Sequence, residues 1–83
     1  MYKLRYSEAA EAVWDSLPDV ARDEFERAIV AVCEDPYAKT ESHGGDDADV
    51  KRILTLEYTA AMIVVIEVPT GKRVRVTRLR YIG

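Results

Sequence analysis

Residues 60–68 read AAMIVVIEV and residues 73–82 read RVRVTRLRYI, with Pro69-Thr70-Gly71-Lys72 between them. The first arm is a continuous β-branched apolar run, the pattern of a strand buried on both faces. The second arm sets Arg73, Arg75, Arg78 and Arg80 among Val74, Val76 and Leu79. Proline and glycine between the arms suit a hairpin turn. Strict alternation fails in the second arm, because Val74 and Val76 share a parity that Leu79 does not. A β-bulge near Thr77 restores Leu79 to the core side and puts the four arginines together on the open face. The hairpin therefore predicts a sheet that offers cations to an anion.

Upstream, residues 51–58 form a further strand in which Lys51, Ile53, Thr55 and Glu57 alternate with Arg52, Leu54, Leu56 and Tyr58. Both faces mix apolar and polar groups, so the pattern does not identify the core side. Residues 37–49 (YAKTESHGGDDAD) read as a polar loop bent at Gly44-Gly45. His43 stands there beside Glu41, Asp46, Asp47 and Asp49, but neither zinc nor EF-hand spacing is present, and no metal or other cofactor is expected.

Two helices precede the loop. Ser7 is placed as an N-cap, with Glu8 and Glu11 in the first turn where the helix dipole favours anions. Ala10, Val13, Trp14 and Leu17 recur at helical spacing until Pro18 stops the run. From about Pro18-Asp19 to Glu34, the residues Ala21, Phe25, Ala28, Ile29, Val32 and Cys33 make a second apolar stripe, ended by Asp35-Pro36. So short a link implies an antiparallel helical hairpin. Cys33 lies on the apolar stripe and reads as a core residue rather than a nucleophile. At the start of the chain Tyr2, Leu4 and Tyr6 alternate with Lys3 and Arg5, the signature of a half-buried strand.

Eighty-three residues, 48% apolar and 33% charged, suit one globular domain spanning 1–83. One cysteine permits no internal disulfide. No charged-then-apolar leader opens the sequence, and the longest apolar run, residues 60–66, falls far short of the roughly 20 residues that span a bilayer. A cytoplasmic protein without membrane contact is the expectation. Net charge is −3, yet residues 1–48 hold five basic and twelve acidic side chains while residues 49–83 hold seven basic and three acidic. Two readings compete: a local basic patch on an acidic molecule, or solvated arginines that pair with acids on the helices.

In order and spacing the chain resembles the RelE/ParE superfamily of toxins from type II toxin–antitoxin systems. The features that carry the resemblance are an opening strand ending in Tyr6 before Ser7-Glu8-Ala9-Ala10, Leu17-Pro18 between the helices, Asp35-Pro36 after them, Arg52-Ile53-Leu54 entering the sheet, Ile63-Val64-Val65, and Val74, Val76 and Leu79 in the last strand. Together they cover nearly the whole chain. The resemblance implies an α+β fold of order β-α-α-β-β-β, with the helical hairpin on one face of a mainly antiparallel four-stranded sheet. It also implies a cognate antitoxin as partner.

For function, the resemblance implies either a metal-independent endoribonuclease that cuts mRNA on the ribosome or a ParE-like toxin that binds DNA gyrase without performing chemistry. A fold that serves only as a binding module is the third alternative. Ribonuclease chemistry needs cations for the phosphate charge, with a base and an acid. Arg52, Arg78 and Arg80 are the candidates for the first role, and Tyr81 for proton donation or base stacking. Lys51, Arg73 and Arg75 are candidates for binding nucleic acid or a partner, and Lys51, Glu57 and His43 for the base. Met62 stands where many members carry a third-strand arginine, and Ile82 and Gly83 stand where one branch carries histidine and tyrosine.

Overall fold

The computed structural model describes residues 1–42, 51–68 and 71–83. The elements run β1 (Lys3–Tyr6), α1 (Glu8–Ser16), α2 (Asp19–Glu34), α3 (Pro36–Lys39), β2 (Glu41–Ser42), β3 (Lys51–Thr55), β4 (Thr59–Val68) and β5 (Gly71–Tyr81). They make the expected α+β architecture, with one mixed sheet in the order β1-β5-β4-β3-β2. The sheet has five strands rather than four, because Glu41-Ser42 pairs with Ile53 and Arg52 at the edge. Within the stretch expected to be loop, Pro36–Lys39 forms a short helix: Pro36 has its φ preset and Asp35 Oδ1 caps the Ala38 N–H at 3.3 Å. The Gly44-Gly45 bend, the His43 cluster and Pro69-Thr70 lie outside the described residues.

Helix limits follow local chemistry. The Ser7 hydroxyl accepts the Ala10 N–H at 3.1 Å and opens α1; Leu17 returns its N–H to Trp14 O. Arg22, outside the apolar stripe of α2, lies 5.4 Å from the Trp14 ring and donates through Nη2 to the Asp15 carbonyl at 3.0 Å. It thereby satisfies carbonyls that the end of α1 leaves without intrahelical partners.

The core fills the space between helices and sheet. Ala10, Leu17, Ala21, Phe25, Ile29, Val32 and Cys33 come from the helical side, and Leu54, Ala61, Ile63, Val65, Val74, Val76 and Leu79 from the sheet. Tyr6, Trp14 and Phe25 form an aromatic group with ring centroids 6.0–6.4 Å apart. The carboxylate of Glu24 fastens α2 to the β3–β4 turn, accepting the N–H groups of Glu57 and Tyr58 at 3.3 and 3.1 Å.

β4 is not buried on both faces, as its sequence alone suggests. Ile63 and Val65 are fully covered, while Ala60, Met62, Val64 and Ile66 on the other face are half-buried. Helices cover only one side, so the residues of the other side keep partial exposure.

The bulge lies where the pattern places it. Met62 pairs with Arg78 and Ile63 with Val76, so Thr77 is the extra residue on β5. Thr77 Oγ1 donates to Met62 O at 3.2 Å, and the Thr77 carbonyl accepts from Ser7 Oγ at 2.9 Å. Replacing Phe25 with alanine is expected to lower unfolding free energy by about 3 to 5 kcal/mol, through lost burial and a residual cavity. Ser7→Ala, which removes the cap and the tether to the bulge together, is expected to cost about 1 to 2 kcal/mol; urea denaturation monitored by circular dichroism measures both.

Candidate anion-binding face

Cross-strand partners point to the same side of a sheet, so the register assigns every side chain to a face. Arg5, Arg75, Val64 and Lys51 form one row across four strands, and Lys3, Arg73 and Ile66 form the next. In the other direction follow Arg78, Met62, Ile53 and Glu41, then Arg80, Ala60 and Thr55. All lie opposite the helices. The face thus carries seven basic side chains, a central apolar strip along β4, and Glu41 at its far edge.

Two shallow depressions mark this face. One, about 300 Å3, is lined by Ile53, Ala60, Ala61, Met62, Arg78 and Arg80. The second, about 290 Å3, is lined by Arg5, Tyr6, Ile66, Arg73 and Arg75.

The competing reading, in which these arginines pair with helix acids, fails on geometry. Glu8, Glu11 and Asp15 on α1, and Asp19, Asp23, Glu24, Glu26 and Glu34 on α2, sit on the far side of the sheet. No described carboxylate lies within ion-pair distance of Lys3, Arg5, Lys51, Arg73, Arg75, Arg78 or Arg80; Arg5 donates only to the Leu4 carbonyl. Cations held on one surface without described carboxylate partners create a positive potential that attracts an anion.

Of the site residues expected from sequence, Arg78, Arg80, Lys51, Arg73 and Arg75 come together here. Arg52 does not. It pairs with Ile63, on the helix side of the sheet. Its Nε donates to Thr40 Oγ1 at 2.9 Å, and its Nη2 to the carbonyls of Tyr37 at 3.1 Å and Thr40 at 2.9 Å. The guanidinium also lies 5.2 Å from the Tyr37 ring centroid. Arg52 thus closes the end of α3 instead of facing an outside anion. Tyr81 pairs with the fully buried Thr59 and shares the side of Leu79. It is 48% exposed, at the rim on the helix side and away from Arg78 and Arg80. Glu57 sits in the β3–β4 turn beside α2; His43 lies outside the described residues.

Lys3 and Arg5 were not among the expected site residues. Their alternation with Tyr2, Leu4 and Tyr6 marks them as outward-facing, but the parallel pairing of β1 with β5 is what sets them beside Arg73 and Arg75.

Elsewhere the titratable groups serve structure. Tyr2 donates to Glu67 Oε1 and is pushed up to about 12, chiefly by that hydrogen bond. Tyr37 donates to the other oxygen of Glu67 at 3.3 Å. Tyr6 is also raised to about 12, by burial in the aromatic group. Burial pushes the Cys33 thiol up, away from the thiolate that a nucleophile requires. Among the described residues no group of three or more His, Cys, Asp or Glu side chains is placed to hold a metal ion, and no helix is long and apolar enough to cross a membrane.

No family model matches this sequence, and no curated protein does so. Solved structures do match. A chain of the intact E. coli RelBE toxin–antitoxin complex superposes with a TM-score of 0.77 at 20% identity, covering 100% of this chain and 99% of that one. A chain of a RelBE toxin–antitoxin complex from Mycobacterium tuberculosis superposes with a TM-score of 0.74 at 13% identity, covering 98% of each. The fold is therefore RelE-like over its full length.

The contrast between Arg52 and the open face yields a prediction. Arg52→Ala is expected to destabilise the chain by about 1 to 3 kcal/mol, since it strips partners from Thr40 and the carbonyls ending α3. Arg78→Ala is expected to leave stability within about 0.5 kcal/mol of the parent, as an exposed substitution without internal partners does; thermal and urea denaturation of the two variants tests the difference.

Proposed function

We propose that this chain is the toxin of a type II toxin–antitoxin pair and that it acts on RNA through the open face of its sheet. The observation that carries this reading is the set of seven basic side chains, without described ion-pair partners, on a RelE-like fold. Phosphodiesters suit such a face because the guanidinium fork bonds two phosphate oxygens at once and stays charged. An antitoxin that silences the toxin covers the same face with a segment rich in acids, placing apolar side chains on the strip Ala60, Met62, Val64 and Ile66.

In the cleavage form of the reading, the ribose 2′-hydroxyl loses its proton and attacks the neighbouring phosphorus. The bond to the 5′ oxygen of the next nucleotide breaks, and that oxygen takes up a proton. Arg78 and Arg80 hold the non-bridging oxygens as negative charge develops on them. Lys51 is the described candidate base on the face. mRNA on the ribosome is the substrate the reading names.

A second reading, a toxin that binds DNA gyrase without chemistry, draws on a different observation. By strand register the described open face carries no histidine or tyrosine, since Tyr6, which touches the second depression, turns its ring to Trp14 and Phe25 on the helix side, and Met62 rather than a cation occupies the centre. Proton donation on that face then has no evident source besides the lysines.

Inducible expression in a bacterial host distinguishes these readings. Growth arrest with discrete stops in primer extension on cellular mRNA is the result expected for a ribonuclease. Arrest with intact message and DNA damage supports gyrase binding, and no growth effect overturns both in favour of a non-toxic binding module. Arg78→Ala together with Arg80→Ala is expected to abolish arrest while circular dichroism shows an intact fold.

A further inference from the structure

We propose that Lys3, Arg5, Arg73 and Arg75 form a second phosphate-binding subsite, which grips the backbone of a single RNA strand beside the Arg78–Arg80 end of the face. The proposal rests on the reading of the open face as an RNA surface and adds a site to it.

β1 and β5 lie side by side in register, with Lys3 opposite Arg73 and Arg5 opposite Arg75. The Cα atoms of each pair therefore stand about 5 Å apart across the strands, and the two pairs of Cα atoms are about 6.6 Å apart along them, twice the rise per residue. Four positive groups thus form a small lattice over the depression that Arg5, Ile66, Arg73 and Arg75 line. None has a described carboxylate within ion-pair distance, so no described ion pair relieves the repulsion among them. Such a lattice binds most strongly a chain with a negative charge at every repeat.

Geometry links this lattice to the other end of the face. Opposite β4, Arg73, Arg75, Arg78 and Arg80 stand against Ile66, Val64, Met62 and Ala60, so the bulge keeps the column continuous. Three steps of about 6.6 Å give a track of about 20 Å. One strand laid along β5 then brings successive phosphates to successive arginines. The wider, four-cation end anchors the strand, and the Arg78–Arg80 end receives the phosphate to be acted on.

An acidic protein segment is the rival occupant. It needs apolar contact as well as charge, and the apolar members of the face, Ile53, Ala60 and Met62, gather around Arg78 and Arg80. At the lattice end the open face contributes Val64 and Ile66, opposite Arg75 and Arg73, among four cations. A phosphodiester backbone makes no such demand, so RNA is the occupant the charge pattern favours.

Fluorescence anisotropy of the full chain with a labelled 2′-O-methyl RNA single strand, which lacks the attacking hydroxyl, tests the subsite over a range of salt concentrations. Three proteins are compared: the parent, the Arg5→Gln/Arg73→Gln/Arg75→Gln variant, and the Arg78→Gln/Arg80→Gln variant, each checked for folding by circular dichroism. The triple variant is expected to lose at least tenfold in affinity, equally across RNA sequences, with the slope of log K against log salt shallower by about 2. If it keeps the parent affinity and slope while Arg78→Gln/Arg80→Gln loses binding, the subsite is refuted and the RNA reading survives. If the parent binds no RNA at any salt concentration, both fall. Tighter binding of a polyglutamate peptide than of RNA, lost in the triple variant, assigns the lattice to an acidic protein and overturns the proposal.

Discussion

One short hydrogen-bonded relay, Ser7 to Thr77 to Met62, decides what the outer surface of this protein is. Ser7 Oγ donates to the Thr77 carbonyl and Thr77 Oγ1 to the Met62 carbonyl, while the Ser7 N–H reaches Val76 O at 2.9 Å. These bonds hold one surplus residue in β5. With that residue in place, Val74, Val76 and Leu79 all enter the core although their sequence parities differ. Without it, a strand continuing Val74 and Val76 inward would drive Arg78 and Arg80 beneath the helices, where an unpaired charge costs several kcal/mol. The same serine opens α1, so the start of a helix, the position of a bulge and the orientation of two arginines are coupled through one hydroxyl.

Segregation of charge follows from that arrangement. A formal charge of −3 describes neither face of the molecule. Carboxylates collect on the two helices, where several serve the first turns or, like Glu24, hold backbone N–H groups of a sheet turn. Seven of the twelve lysines and arginines collect on the side that helices never cover. Since the sheet lies between the two sets, screening by solvent and salt leaves the basic face free to act over about a Debye length, roughly 8 to 10 Å at ordinary ionic strength. An anionic partner is thus drawn to one side of the protein and repelled from the other, which orients it before contact.

Much of this was legible in residues read one strand at a time. The N-cap at Ser7, the stop at Pro18, the end of α2 at Glu34 and the bulge at Thr77 are all local signals, and each sits where the pattern put it. Pairing beyond the C-terminal hairpin was not legible. Nothing in Tyr2 to Tyr6 says that this strand lies parallel to the last one in the chain, so Lys3 and Arg5 read as ordinary outward positions. Residues 51–58 alternate ambiguously, and only the pairing of Arg52 with Ile63 reveals that Arg52 and Leu54 face inward. Tyr81 turns to the helix side because, after the bulge, the residue next to Arg80 shares the side of Leu79. Glu41-Ser42 is too short to show any period at all.

Arginine itself carries the final distinction, because this chain uses it in two incompatible ways. Arg22 and Arg52 reach backwards onto backbone carbonyls that helices leave open, and each lies over an aromatic ring. Their forks are spent inside the protein, and an external phosphate would have to displace those bonds. Arg73 and Arg75 lie where β5 is paired with both neighbours, Arg78 and Arg80 where it is paired with β4, and no described hydrogen bond ties any of the four guanidinium groups to a backbone carbonyl. Helix ends generate demand for guanidinium donors from within; the centre of a sheet generates none. The position of an arginine relative to open backbone carbonyls, more than its exposure or its place in a motif, therefore separates those that hold this fold together from those left to hold something else.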